Sequence, residues 1–215
     1  MGLTFFYKTL SVILAYLFGA IPTAYVIYWF KKGSDIRGEG SGNVGGTNVA
    51  RTIGPAAGII TILLDIFKGF LPVMVLYLIF PDNLLLLSIA SVAVIAGHDF
   101  PVYIKFKGGK GIATSFGVIV GVCAFPFTAQ PVYMRVAPIF TILASAAIFF
   151  FIFKIVSVSS IAAAVATPLS FYFFGYPVII VITATFWSVL ALVTHRSNIK
   201  RLIRKEEKKI KGRGA

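Results

Sequence analysis

Apolar runs long enough to cross a bilayer recur along this chain, and a soluble body of 215 residues could not bury them. The chain is 58% hydrophobic, with a mean hydropathy of +0.93. An all-α integral membrane protein follows, because a helix satisfies its own backbone polar groups inside lipid. A seven-transmembrane-helix bundle is expected, with spans at Leu3–Phe30, Pro55–Phe80, Leu84–Gly97, Gly111–Phe127, Val136–Phe153, Val158–Phe174 and Val178–Thr194. The third and fourth are short, and Pro126 and Pro131 interrupt the end of the fourth. The first is read as a span and not a cleaved leader. Its apolar stretch is too long, its start is barely charged, and Lys31 and Lys32 follow it where a cleavage site would stand.

The formal charge of +13 would suggest nucleic acid in a soluble protein, but here the basic residues flank apolar runs, where they meet anionic lipid heads. Seventeen of the twenty fall on one side if Lys31 to Arg51, Lys105 to Lys110, Lys154 and the tail after Thr194 share it. The positive-inside rule then places the N-terminus outside and the C-terminus in the cytoplasm. The single cysteine, Cys123, lies among apolar residues and has a packing role. Two histidines, His98 and His195, are too few for a multi-histidine metal site, and no metal or other cofactor is expected. Asp65 and Lys68 stand at i and i+3 in the second span. They are either an intramembrane functional pair or a self-paired structural couple facing the bundle interior.

The connections on the external side, Pro81-Asp82-Asn83 and Gly175-Tyr176-Pro177, are brief and hold nothing reactive. Those on the cytoplasmic side are dense in glycine, hydroxyls, amides and cations. The first runs from Gly38 through Gly40, Ser41, Gly42, Asn43, Thr47 and Asn48 to Arg51. Glycines let successive N–H groups turn toward one point, and arginine grips phosphate with parallel hydrogen bonds, so this segment reads as an anion cradle leading into a helix. The second runs from Gly97-His98-Asp99-Phe100-Pro101 to Gly108-Gly109-Lys110-Gly111 and Thr114. It combines close backbone approach with a point charge. It is not a P-loop, since glycine follows Lys110 and the first glycine of that spacing is missing, so nucleotide hydrolysis is unsupported. His98 has no HxxxxD partner, because Tyr103 occupies the fifth place. It is as consistent with a structural hydrogen-bonder as with a catalyst.

A third segment holds Lys154, Ser157, Ser159 and Ser160, whose serines are also suited to capping the sixth helix. The fourth runs from Thr194 through His195, Asn198 and Arg201 into a basic tail from residue 202 onward. A helical exit would put His195 and Asn198 on one side.

In this order the pieces SGNVGGTNVAR, GHDFP with FKGGKGIAT, and HRSNIKRL resemble the bacterial acyl-phosphate-dependent glycerol-3-phosphate acyltransferase family. The resemblance covers almost the whole chain, as one domain over residues 1–215. It implies a small bacterial inner-membrane enzyme whose active site is formed by cytoplasmic glycine-rich loops. That enzyme would move an acyl group from acyl phosphate to the 1-hydroxyl of glycerol 3-phosphate without metal or nucleotide. Carried over by position, the resemblance implicates Ser41, Arg51, Lys110, Ser160, His195 and Asn198. Ser41, Lys110, His195 and Asn198 are the catalytic candidates. Gly40, Gly42, Asn43, Thr47, Asn48, Arg51, His98, Gly108, Gly109, Gly111, Thr114, Ser157 and Ser160 are the candidates for holding substrate. The implied partners are glycerol 3-phosphate, acyl phosphate and membrane lipid, with no nucleic acid. The basic tail suits transient contact with the enzyme that makes acyl phosphate, although lipid alone accounts for it.

Two departures stand out. Gly46 stands where the family usually has alanine, a change expected to loosen the cradle. Lys205 stands where glycine usually precedes the tail glutamate, here Glu207, which argues against a tail turn and a role for that carboxylate. The chief rival is a transporter for an anionic phosphate compound, which would place its site near the midplane on broken helices, often within inverted repeats. A membrane phosphatase lacks an arranged nucleophile, and a purely structural protein leaves the one-sided polar motifs unexplained.

Overall fold

The computed structural model describes residues 2–125 and 130–209. Among these the chain forms ten α-helices and no strand. They are α1 (Gly2–Gly19), α2 (Thr23–Lys32), α3 (Gly46–Ile53), α4 (Pro55–Ile79), α5 (Leu84–Asp99), α6 (Ile112–Ala124), α7 (Val132–Phe153), α8 (Val156–Phe173), α9 (Val178–Thr194) and α10 (Arg196–Ile203). Single 3-10 turns stand at Ile36–Gly38 and Val102–Ile104. Pro126 and Phe127, at the end of the expected fourth span, and the tail beyond Lys209 lie outside the described residues.

Among the described residues, five stretches are long and apolar enough to cross a membrane: Gly2–Lys32, Pro55–Ile79, Leu84–Ile104, Val132–Phe153 and Val156–Phe173. A sixth arises if α9 and α10, bent by 60° at His195, are taken as one. Helix α6 is apolar but has only 13 residues. At 1.5 Å per residue it is roughly 20 Å long, short of a hydrocarbon core of about 30 Å. The long helices turn large apolar side chains outward, among them Ile59, Leu63, Phe67, Phe140 and Phe151. Water would penalise that surface and lipid does not.

The expected unbroken first span is interrupted between Gly19 and Thr23. Pro22 has no N–H to give a continuing helix, and its ring clashes with the preceding turn. The break exposes backbone carbonyl to the bundle, and α4 answers it. Lys68 Nζ lies 2.8 Å from Ile21 O and Thr23 Oγ1 donates to Asp65 at 2.5 Å, while Asp65 and Lys68 pair with each other at 2.9 Å. Both charged residues are almost wholly buried.

Two compact units emerge, residues 1–122 and 123–215. In the first, α1 lies against α5 so closely that a Cβ on Gly97 would sit 2.2 Å from Tyr16 O. Backbones approach this near only through small residues, the usual device where lipid removes the hydrophobic drive between helices. In the second, α8 packs between α7 and α9, with Phe171 edge-on to Trp187 and to Tyr176. Cys123 is buried.

Candidate functional site

In the first unit the two glycine-rich segments are tied to one another. Arg37 grips the Asp35 carboxylate at 2.6–3.0 Å, and its Nη1 reaches across to Ile104 O at 2.9 Å. The hydrogen bond from Arg37 holds the Asp35 carboxyl below its ordinary value. Asn48, almost fully buried, spends both ends of its amide on the loop. Its oxygen accepts Ser41 N–H at 2.8 Å and its nitrogen donates to Glu39 O at 3.0 Å. The loop is thereby folded over the start of α3, with Ser41, Thr47 and Arg51 exposed. Thr47 and Arg51 stand one turn apart on α3 and share a face. These three side chains present hydroxyl and guanidinium groups of the kind that hold phosphate.

The second segment folds back over the end of α5. Gly108 N–H donates to Asp99 O and Gly109 N–H to His98 O, each at 3.2 Å. These amides are therefore engaged with helix-terminal carbonyls and not splayed toward a common anion. Gly109 is wedged in place: a Cβ there would lie 2.1 Å from His98 Nε2 and 2.8 Å from Val44 O. Gly111, at φ +69°, passes directly over the Asp99 carboxylate. Lys110, between them, is half-buried and α6 starts two residues later, so its first-turn N–H groups lie beside the lysine.

In the second unit Glu207 gathers the polar side chains. Its Oε1 accepts Asn198 Nδ2 at 2.6 Å and Ser157 Oγ at 2.9 Å, and its Oε2 accepts Arg201 Nε at 2.5 Å. Burial pushes this carboxyl up, but the bonds from Arg201, Asn198 and Ser157 outweigh it and hold it below the ordinary glutamate value. His195, buried at the bend between α9 and α10, places Nδ1 2.7 Å from Ala191 O. A carbonyl only accepts, so Nδ1 carries the proton and Nε2 is the basic nitrogen of the neutral ring. Between α7 and α8 an apolar groove of about 430 Å³ is lined by Phe149, Ile161, Val165 and Leu169, together with Leu202 of α10.

A sequence model of the glycerol-3-phosphate acyltransferases matches residues 9–205. The chain belongs to this family. A glycerol-3-phosphate acyltransferase of Endomicrobium trichonymphae is 40% identical over 205 residues, 95% of this chain and 96% of its own. One of Bacillus subtilis (strain 168) is 39% identical over 202 residues, 94% and 97% of the two chains. The crystal structure of PlsY, an integral membrane glycerol 3-phosphate acyltransferase, superposes in its glycerol 3-phosphate form with a TM-score of 0.83 at 34% identity. That match covers 95% of this chain and 96% of the other. Its lysophosphatidic acid form gives a TM-score of 0.81 at 33% identity, with the same coverage.

Against the acyltransferase expectations, several residues take places that spacing alone did not give. Asn48 is a buried brace for the first loop, since both ends of its amide are already bonded. His98 lies beneath the second loop, between Asp65 and Gly109. Thr114 is fully buried on α6, where its backbone carbonyl crowds Gly69. The serines do not cap α8, whose N-cap is Ile155. Ser157 serves Glu207 and Ser159 donates to Ala146 O on α7, while Ser160 is half-buried.

Gly46 does not loosen the loop. It meets Gly58 at the α3–α4 crossing, where a Cβ would come 2.8 Å from Gly58 O. The tail turn forms despite Lys205. That residue adopts φ +59°, its N–H donates to Leu202 O and the next donates to Arg201 O, the Schellman pattern that glycine usually completes. Arg37 is an organising residue the sequence reading passed over, and Glu207 is one it discounted. The signal for Glu207 was a pair of acids, Glu206 and Glu207, three and four residues past a helix end in an otherwise basic tail.

Proposed function

We propose that this protein transfers a fatty acyl group from acyl phosphate to the 1-hydroxyl of glycerol 3-phosphate, giving 1-acylglycerol 3-phosphate and inorganic phosphate. The observation that carries this reading is the likeness, over 95% of the chain, to a protein solved in glycerol 3-phosphate and lysophosphatidic acid forms. Those two molecules differ by one acyl group. The donor is the one the family resemblance implies, and an acyl phosphate, already an activated mixed anhydride, suits cation-bearing loops without a P-loop.

The 1-hydroxyl oxygen attacks the acyl carbonyl, the C–O bond to phosphate breaks, and the hydroxyl proton leaves with a phosphate oxygen. No covalent enzyme intermediate is needed. Arg51 and Lys110 neutralise phosphate charge that grows on the leaving group. Ser41, Thr47, Ser160, Asn198 and the first-turn amides of α6 orient the two substrates. The acyl chain lies along the apolar groove between α7 and α8 while the head groups stay at the membrane boundary. The bundle has seven spans in the inner membrane, with α6 as the short one, the N-terminus outside and the loops facing the cytoplasm. Cysteines introduced at Ser34 and Asp82 in a Cys123→Ser background should label from opposite faces.

The test is purified protein supplied with palmitoyl phosphate and glycerol 3-phosphate, without metal or nucleotide. Lysophosphatidic acid is read by mass and phosphate release is followed in parallel. Product from the parent, with severe loss in Lys110→Ala, is expected. Folded protein that makes no product, with acyl-CoA tried as donor as well, overturns the reading and makes transport of glycerol 3-phosphate the next assay.

A further inference from the structure

The proposed chemistry leaves a buried set of charges unused. Asp65 and Lys68 lie inside the first unit, 2% and 3% exposed, where an ion pair costs desolvation that a pair of apolar residues would not. The pair also does not close on itself. Asp65 Oδ1 takes Thr23 Oγ1 at 2.5 Å and faces His98 Nδ1 at 3.6 Å, within ion-pair range but longer than a hydrogen bond. The opposite edge of the same imidazole, Nε2, occupies the space where a side chain on residue 109 would be. Thr23, Lys68, His98, Val44 and Gly108 line one crevice too narrow to admit a water molecule. A contact made there is not diluted by solvent, and a displaced ring has nowhere to go.

From this we infer that Asp65 and Lys68 are positioning residues for the phosphate-holding segment. They act through His98, whose ring is set by Asp65 on one edge and sets Gly109 with the other, one residue before Lys110. The inference rests on the proposed role of that segment in phosphate binding. Three features point the same way. Gly108 and Gly109 hang by their amides from the carbonyls of Asp99 and His98, so the segment follows the end of α5 wherever His98 is held. Gly109 is clamped from the other side by Val44 O, so a shift of the ring changes the fit between both glycine-rich segments. Lys68 holds Asp65 at 2.9 Å while bonding Ile21 O at 2.8 Å, which fixes α4 to the break in the first span.

The double variant Asp65→Asn/Lys68→Met separates positioning from mere scaffolding. It removes both charges together, so no lone ion is stranded in the bundle, and Ile21 O keeps Thr23 N–H at 3.0 Å. Full-length protein in detergent is read three ways: thermal unfolding, hydrogen–deuterium exchange of the peptide spanning 105–111, and KM and kcat with palmitoyl phosphate and glycerol 3-phosphate. The expected result is a near-parental melting temperature and exchange at Gly108 and Gly109 roughly tenfold faster. KM for a phosphate substrate should rise by roughly tenfold with a smaller change in kcat.

A stable double variant with parental exchange and parental KM overturns the inference and leaves the pair a self-contained brace. If the double variant does not fold, Thr23→Val decides. It removes one donor to Asp65 and leaves the ion pair whole, so exchange at 108–109 should quicken by roughly threefold, and no change overturns the inference. A parent that makes no lysophosphatidic acid sinks the proposed reaction, and the exchange measurement still judges the positioning on its own.

Discussion

Asn198 Nδ2 donates to Glu207 Oε1 at 2.6 Å, across nine residues of chain that turn back on themselves at the end of α10. The bond fixes which way the Asn198 amide points, and Ser157 is fixed by the same oxygen. Substituting Glu207→Gln keeps the shape but gives Asn198 and Arg201 a weaker acceptor. Loss of charge-assisted bonds of this kind costs about 1–3 kcal/mol. Misorientation of the amide should lower kcat/KM by roughly 10–100-fold. Steady-state kinetics and thermal unfolding on the same preparation check both figures. Unchanged kinetics would remove Glu207 from the site.

The same carboxylate sets a pH dependence. Its folded value lies below the ordinary 4.5, so its contribution to stability is fully present above that value and disappears as pH falls through the lower, folded-state value. Between pH 7 and 5 the melting temperatures of the parent and Glu207→Gln should therefore stay a constant distance apart. Below about pH 4 the gap should close, because the parent protonates and comes to resemble the variant. A gap that widens in acid would show the sign to be wrong.

Much of the architecture was legible because lipid imposes it: apolar runs have to be helices, and proline and charge have to be explained one by one. The partnership of Asp65 and Lys68 was readable from i,i+3 spacing alone. What eluded the sequence depends on distant backbone. A single proline inside an apolar run, Pro22, does not announce whether it kinks or breaks a helix. Arg37 looks like any basic residue at a membrane boundary until its carbonyl partner, Ile104 O, is folded against it from 67 residues away. Glycines 108 and 109 read as points of close backbone approach to substrate, but their amides are consumed by the end of α5, a pairing no local pattern encodes. Glu207 was discounted because a left-handed residue is expected to be glycine, and Lys205 adopts that conformation anyway.

Gly46→Ala tests the helix crossing. Alanine would gain up to about 1 kcal/mol of helix propensity at the start of α3. Its Cβ, however, would fall 2.4 Å from Ile62 Cγ1 and 2.8 Å from Gly58 O, and the second of these is backbone and cannot rotate away. Overpacking of this kind costs about 1–3 kcal/mol, so the net effect should be a lower melting temperature. A stabilised variant would show that α3 and α4 separate easily, contrary to the close contact of Gly46 and Gly58.

Lys205→Gly should do the opposite. A lysine in the left-handed region crowds its Cβ against the following carbonyl, at a cost of about 1–2 kcal/mol. Glycine relieves that and gives back about 0.4–1 kcal/mol through a more flexible unfolded chain. A net gain of roughly 0.5–1 kcal/mol is expected, with activity kept because Glu207 is delivered to the same place. Lys205→Val, β-branched and poorly suited to positive φ, should instead lower both stability and kcat/KM, as paired melting and kinetic measurements would show.

The role of His195 turns on what holds its ring. Nδ1 donates to the peptide oxygen of Ala191 at 2.7 Å. A peptide oxygen orients an imidazole but stabilises an imidazolium less than a full negative charge would. That favours an orienting histidine, with the substrate phosphate accepting the proton from the 1-hydroxyl. His195→Gln should therefore retain turnover within about tenfold of the parent while KM for glycerol 3-phosphate rises by roughly tenfold or more. The kcat profile of the parent should also show no pH limb that vanishes in the variant. Collapse of kcat by roughly a thousandfold at unchanged KM, with loss of such a limb, would make His195 the general base.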